Sequence, residues 1–430
     1  MSTIDIIVGR YKEDKERLQT KGLGYIGKHY IGTKKDYHLA NRVLIDLARP
    51  HLINIFGKRG TGKSYTLGVL AEELLELEEE FRKNIAVVIF DPMGIYWSMK
   101  IPNEKDKGLL LSWGLEPRGY DIEIAIPKGL EKKYIENDVD YDILYAIKPS
   151  ELNFNDWIYS LNLEMNSLES MILEKALSEL KEEKKDNYTL EDIINKVLEI
   201  EDCKETRMLS HRLSATRYWG IFDEKGINIK RIVKPGRCVV VDLSQFGLES
   251  GGWSVRSLAV GLLVRKILMA RIESRRIEEK ESILGERLRD KYPSYIPLTW
   301  ILIDEAHQFL PSQGVTAASL PLLQAIKIGR QPGVSMILST QMPFKLHQEA
   351  ISQGDIVISH RLTAQKDISA LENVMQTYQR YSIVDYFDSM PQEKGSAIIL
   401  DDNSERIYEV RIRPRKSWHA GESAIALQEK

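Results

Sequence analysis

Cysteine is almost missing from this chain. Cys203 and Cys238 are the only two in 430 residues, too few and too far apart for a disulfide framework or a cysteine-based zinc site. Long hydrophobic runs are also lacking: the longest apolar stretch, Ser257 to Ile272, is interrupted by Arg265 and Lys266, so no segment has the unbroken length of a membrane-spanning helix. The N-terminus, "MSTIDIIVGRYKEDKERL", lacks the basic-then-apolar pattern of a secretory leader, and a cytoplasmic location with no membrane partner is expected. Nor does one sign of charge prevail. With 60 basic and 63 acidic residues the net charge is −3, which does not mark a nucleic-acid binder. It does not exclude one either, because a few Lys and Arg side chains facing inward can meet a phosphate backbone while the exterior stays acidic. Internal repeats and low-complexity tracts are absent as well.

What is present points to a layered α/β protein. "LINIF" (Leu52 to Phe56), "IAVVIF" (Ile85 to Phe90), "CVVVDL" (Cys238 to Leu243), "TWILID" (Thr299 to Asp304), "VSMILS" (Val334 to Ser339) and "DIVIS" (Asp355 to Ser359) are short, nearly continuous apolar runs. Runs of this kind suit strands buried on both faces of a mostly parallel sheet. Between residues 150 and 222 the pattern changes: Leu168, Ile172, Ala176 and Leu180 fall on one helical face, and "TLED" from Thr189 is a capping-box start. A helical insertion is expected there. Pro235 and Gly236 then turn the chain back toward the sheet. The mixed-sign charged runs beginning at Glu72, Glu179 and Glu273 read as solvated helix faces or loops.

The first apolar run leads directly into "GKRGTGKSYTLG", in which Gly57, Gly62, Lys63 and Ser64 make the pattern G-x-x-x-x-G-K-S. At ordinary composition such a match arises by chance in only about one chain of this length in 70. The apolar run before it and the helical spacing of Leu67, Leu70, Ala71 and Leu74 after it supply the required strand, loop and helix. Glycines in such a loop let successive backbone N–H groups point inward at phosphate, and the helix directs its positive end at the same anion. Gly57, Arg59, Gly60, Thr61, Gly62, Lys63, Ser64 and Tyr65 are the expected nucleotide-binding residues, with Lys63 reaching the β- and γ-phosphates and Ser64 on Mg2+.

Hydrolysis also needs a second metal-side group and a group that orients water. "TWILIDEAHQF" ends an apolar run in Asp304 and Glu305, at a strand edge where open α/β sheets bind ligands. Asp304 is the expected metal group and Glu305 the group that polarises water. "SMILSTQMP" places Gln341 at another strand end, either as a γ-phosphate sensor or as a satisfied strand-end amide. His307 has no second His or Cys at ligand spacing and reads as a hydrogen-bonded or surface histidine.

Together these residues resemble the HerA/FtsK superfamily of ring-forming P-loop ATPases, and within it the HerA-like branch. The resemblance runs from about Gly22 to Gly421. Beyond the phosphate loop and the acidic pair it rests on "DPMGIYW" (Asp91 to Trp97), "KPGRCVVVDLS" (Lys234 to Ser244), "IGRQPGVSMILSTQMP" (Ile328 to Pro343), "ISHRL" (Ile358 to Leu362) followed by Asp367, and "VRIRPRKSWHAG" (Val410 to Gly421). It implies a RecA-like P-loop NTPase core that uses ATP and Mg2+, with Lys63 and Ser64 on the nucleotide, Asp304 on the metal, Glu305 as catalytic base and Gln341 as sensor. Arg330 looks like the family's trans-acting arginine, with a surface arginine or a cap on the negative end of the helical run Leu320 to Gly329 as the alternative, and Arg361 is a second candidate; a planar guanidinium suits charge developing on phosphoryl oxygens. The implied partners are double-stranded DNA, further copies of the chain in a hexamer, and a NurA-type nuclease.

The sequence departs from the family pattern in two places. The residues ahead of the phosphate loop, 1–50, make a short segment in which the family's complete N-terminal β-barrel does not fit, which weakens the nuclease expectation. Met93 and Ile95 stand where relatives carry His and Glu. The expected organisation is therefore a short N-terminal segment (1–50), an ATPase core in two parts (51–149 and 223–400) around the helical insertion (150–222), and a C-terminal strand and tail (401–430). The expected activity is DNA-stimulated ATP hydrolysis by a double-stranded DNA translocase or helicase in repair or end processing. The alternatives are a packaging or conjugation motor of a mobile element and a non-translocating scaffold in a defence complex. "MKIPNEKDKG" (Met99 to Gly108), with Lys100, Lys105 and Lys107, reads either as a DNA-contacting loop or as a solvated surface loop.

Overall fold

The computed structural model describes residues 5–32, 36–248, 252–375 and 382–421; the end of the expected tail, 422–430, lies outside them. Each of the six short apolar runs read as strands above forms one: β4 (Leu52–Phe56), β5 (Ile85–Asp91), β8 (Cys238–Asp242), β9 (Leu298–Ile303), β10 (Val334–Thr340) and β11 (Ile356–His360). β1 (Ile6–Val8), β2 (Leu23–Ile31), β3 (His38–Asp46), β6 (Ile122–Pro127), β7 (Ile143–Tyr145), β12 (Ser396–Asp401) and β13 (Arg406–Ile412) complete one sheet, in the order β1-β3-β2-β13-β12-β11-β4-β10-β9-β5-β8-β6-β7. From β11 to β7 neighbouring strands are parallel, and β5, β8, β10 and β11 are buried along their whole length. This is the mostly parallel α/β core of a P-loop NTPase.

On the other side of β11 the pairing turns antiparallel through β12, β13 and β2 to β3. The residues ahead of the phosphate loop thus extend the main sheet through β13. β2 and β3 were not visible as apolar runs because Lys28, His29, Asn41 and Arg42 interrupt them, and their pairing is itself irregular at Tyr25/Gly27 and Lys28/Tyr30.

Four helices, Phe154–Leu161, Leu168–Lys184, Leu190–Ile200 and Lys204–Ala215, lie between β7 and β8. Thr189 and Asp192 form a reciprocal capping box. Ile172, Ala176 and Leu180 are buried on the expected face, but Leu168 in the first turn stays 45% exposed. No helix of the described residues is long and apolar enough to cross a membrane.

The charged run from Glu72 is solvated only from Glu78 onward, contrary to the expectation for its first part. Glu72 and Glu73, on the helix Lys63–Glu76, are buried under the segment that follows β13. Arg413 donates to Glu72 at 2.8 Å and to Glu73 at 2.6 Å, while Ser417 donates to Glu72 through both its backbone N–H and its hydroxyl. Arg415 lies against Gly68, where a Cβ would stand 2.6 Å from the guanidinium carbon. Glycine at that point lets the C-terminal segment cross the phosphate-loop helix.

Candidate active site

β4 lies between β11 and β10, with β9 next to β10, so Phe56, His360, Thr340 and Ile303 end at one edge of the sheet. The loop that leaves β4 folds back tightly: a Cβ on Gly57 would stand 2.6 Å from Thr61 Oγ1 and 2.9 Å from His360 Cβ. Thr61 closes the turn by donating its hydroxyl to the Lys58 carbonyl at 2.7 Å. Gly62, with φ at 115°, is the N-cap of the helix Lys63–Glu76, a backbone conformation that other residues rarely adopt. Because the cap is glycine, it makes no side-chain hydrogen bond to the helix's positive end. That end faces the tips of β9 and β10 and is the natural seat of a phosphate.

Lys63 and Ser64 begin this helix and meet the acidic pair at the end of β9. The Lys63 ammonium lies 2.5 Å from Glu305 Oε1 and 3.5 Å from Asp304 Oδ1, and 3.3 Å from Ser64 Oγ. Burial pushes the Lys63 amine down, but the Asp304 and Glu305 charges outweigh it and hold the ammonium above its ordinary range. Burial pushes the Asp304 carboxyl up. Lys63 and the hydrogen bonds from Ser64, Ser339 and the Glu305 N–H overcome it, so Asp304 stays ionised below the usual range.

Glu305 differs from its neighbour: burial raises its carboxyl, and Lys63 together with the Gln341 backbone N–H does not fully offset that. Its backbone is left-handed, with φ at 51°, uncommon for a residue with a side chain and characteristic of functional turns. Oε1 is taken by Lys63, whereas the buried Oε2 has no hydrogen-bond partner among the described residues. A carboxylate raised in affinity for a proton, with one unsatisfied oxygen, is equipped to take a proton from a water molecule.

The remaining sequence-predicted residues divide by position. Gln341 sits at the end of β10 and directs its backbone N–H at Glu305. His307 hydrogen-bonds Thr340 Oγ1 through Nδ1 at 2.9 Å, and burial with the nearby Lys345 and Lys63 charges pushes its imidazole down to about 4, leaving it neutral. The Tyr65 hydroxyl is turned away from the loop and accepts the Arg415 backbone N–H at 2.6 Å. Arg59 and Gly60 are exposed at the loop tip. The Arg361 carbonyl accepts the Lys58 N–H, and its half-exposed side chain lies 3.8 Å from Asp388. Arg330 is at the opposite edge of the sheet, before β10 begins, exposed and stacked over the Tyr11 ring at 5.2 Å. In the segment after β5, Lys100 is ion-paired with Asp142 and Lys107 with Glu104.

Residues 26–268 match the family model described as "Helicase HerA, central domain". The chain belongs to the HerA family. Among curated HerA proteins, the DNA double-strand break repair helicase HerA of Sulfurisphaera tokodaii is 24% identical over 352 residues, covering 79% of this chain and 60% of that protein. The Saccharolobus solfataricus HerA is 26% identical, covering 76% of this chain and 57% of its own length. The chain thus spans about 60% of the length of curated relatives such as these. Among solved structures, VirB4 of Thermoanaerobacter pseudethanolicus superposes with a TM-score of 0.56 at 14% identity, covering 91% of this chain and 97% of that one. The bacterial conjugative coupling protein TrwB superposes at 0.50 with 12% identity, covering 87% and 88%. At such identities these likenesses bear on the fold, and they agree with the P-loop NTPase core of the HerA chain.

Three features of this HerA core escaped the sequence reading. His360 is wholly buried beneath the phosphate loop; its Nδ1 donates to the Ser396 carbonyl at 3.0 Å and its Nε2 accepts the Thr66 hydroxyl at 2.8 Å, a tautomer set by these partners. Burial pushes its imidazole down to about 4. Tyr96 brings its hydroxyl to Asp304 and Ser64. Asp91 and Asp242 end adjacent strands in register, both buried. The available signal was a carboxylate closing an apolar strand run, the same one that marked Asp304.

Proposed function

We propose that this chain is an ATP-hydrolysing motor subunit of HerA type, acting as a ring on double-stranded DNA. The observation that carries the reading is the meeting of Lys63, Ser64, Asp304 and Glu305 at a glycine-capped helix N-terminus, with no hydrogen-bond partner for Glu305 Oε2 among the described residues.

The loop N–H groups and Lys63 hold the β- and γ-phosphates of ATP. The Ser64 hydroxyl and the Asp304 carboxylate are hard oxygen donors side by side, which fits Mg2+, an ion bound through one or two such groups plus substrate phosphates. Bound there, Mg2+ neutralises charge on the phosphoryl oxygens. Glu305 Oε2 accepts a proton from the attacking water as its oxygen bonds to the γ-phosphorus and the bond to ADP breaks. Gln341, just past β10 and beside Glu305, acts as the γ-phosphate sensor, and Arg330 serves the site of a neighbouring copy.

The test is the ATP turnover of the purified protein with and without linear duplex DNA, beside the mass of the assembly by light scattering. The expected result is DNA-stimulated turnover by a hexamer whose DNA affinity falls steeply with salt and depends little on sequence. Absence of ATP turnover overturns the catalytic reading. Turnover by a monomer that is indifferent to DNA overturns the ring-motor reading and favours a scaffold.

A further inference from the structure

We propose that Tyr96 is a positioning residue for the metal-side carboxylate of Asp304, aimed there by Asp91. The inference rests on the ATPase reading and extends it to a residue on a different strand connection. Tyr96 is wholly buried, yet its hydroxyl lies 3.1 Å from Asp304 Oδ2 and 3.2 Å from the Ser64 carbonyl. With one proton to give, it favours the ionised carboxylate, the stronger acceptor. The other Asp304 oxygen accepts the Ser339 hydroxyl at 2.8 Å and the Glu305 N–H at 2.9 Å. The carboxylate is thus held through both oxygens, with Tyr96 as the donor to Oδ2.

The ring is aimed by a turn, and Asp91 builds the turn. At the end of β5 its Oδ1 accepts the N–H groups of Met93 at 3.1 Å and Gly94 at 2.8 Å, and its Oδ2 accepts those of Ile95 at 2.7 Å and Tyr96 at 2.8 Å. Gly94 supplies the left-handed residue, with φ at 67°. The result is a rigid hook that carries Tyr96 from β5 over the end of β9. Groups that orient a metal-side ligand in this way typically change metal affinity by about 10- to 100-fold when removed.

Tyr96→Phe keeps the ring and removes only the hydroxyl. Affinity for Mn2+ is read by electron paramagnetic resonance with a non-hydrolysable ATP analogue present, and the half-saturating Mg2+ for ATP turnover is read alongside. Both concentrations are expected to rise about tenfold, with metal-free nucleotide affinity unchanged. Tyr145→Phe, which removes an equally buried hydroxyl that instead faces the Asp242 carbonyl, is expected to leave both at wild-type values. Metal dependence within twofold of wild type in folded Tyr96→Phe overturns the proposal. If Tyr96→Phe does not fold, Asp91→Asn, which replaces one acceptor oxygen of the hook and keeps Tyr96, is expected to weaken Mn2+ binding, and wild-type binding there overturns it. A wild-type protein that binds the Mn2+ and nucleotide pair without turning ATP over defeats the catalytic reading and leaves the Mn2+ comparison decisive for Tyr96.

Discussion

The Lys63 ammonium and Glu305 Oε1 are 2.5 Å apart, the shortest contact between the phosphate loop and the acidic strand end. The lysine expected to hold the β- and γ-phosphates and the carboxylate expected to accept water's proton are thus ion-paired with each other. On the proposed reading, phosphate oxygens in the loop would compete with Glu305 for that ammonium, which would couple nucleotide arrival to release of the base through one side chain.

The two partners consequently fail in different ways when changed. Lys63→Ala removes the phosphate-directed charge and leaves two buried carboxylates facing one another; nucleotide affinity and turnover are both expected to be lost. Glu305→Gln keeps Lys63 and the loop, so nucleotide binding is retained while turnover falls by about 10²- to 10⁴-fold. Fluorescent-nucleotide binding beside steady-state ATP turnover checks the contrast. Wild-type turnover in Lys63→Ala defeats the phosphate-loop assignment.

Arg330 is separated from its own phosphate loop by the length of β10, whose seven residues span about 20 Å at the usual rise per strand residue. It lies beside Tyr11, Lys12, Glu13 and Arg49 on the opposite edge of the sheet, away from its own loop, and on the proposed reading it serves the loop of another copy. Arg330→Ala is expected to bind ATP and hydrolyse it poorly. Mixing it with Lys63→Ala subunits is expected to restore part of the rate, because some interfaces then pair an intact loop with an intact arginine. Full turnover by Arg330→Ala alone, or unchanged activity per subunit in a demonstrated monomer, defeats the trans-arginine reading.

Much of this site was legible because its chemistry sits at the ends of apolar runs. β4 ends at the loop and β9 ends at Asp304, and in a parallel sheet such ends share one edge. Tyr96 and His360 were not legible in the same way, since each acts on a residue remote in the chain: Tyr96 on Asp304, His360 on Thr66. Glu72 and Glu73 misled for the same reason. A mixed-sign helical run is normally solvated, and it is Arg413, with Arg415 and Ser417, more than three hundred residues away in the chain, that makes their burial tolerable.

The carboxylate pair Asp91 and Asp242 should make stability depend on pH. Burial and the neighbouring Asp242 push Asp91 up to about 7, and burial raises Asp242 as well. A carboxyl whose folded-state pKa is raised contributes its stabilisation fully below the unfolded value of 3.8 and loses it as pH rises through about 7. Urea unfolding is therefore expected to show this contribution falling between pH 4 and pH 7, and Asp242→Asn, which removes the like charge, is expected to make the fall shallower. An identical slope in the two proteins defeats the coupling.

Arg413 ties the C-terminal segment to the phosphate-loop helix. It is wholly buried and donates to Glu72, to Glu73 and to the Tyr25 carbonyl. Burial pushes the Glu72 carboxyl up, but Arg413 and Arg415 outweigh it and keep Glu72 below the usual range; for Glu73, burial wins and the carboxyl is raised. Arg413→Met fills similar space without charge and leaves both carboxylates in a dry environment with their main partner gone. Removing one side of such a buried network typically costs about 3–5 kcal/mol, and a loss of that order is expected in urea unfolding. The Glu72→Gln, Glu73→Gln double change made in the Arg413→Met background is expected to recover part of it, because the orphaned charges are then absent. A loss below about 1 kcal/mol, the range of an exposed ion pair, shows that the C-terminal segment is held over the helix by packing alone.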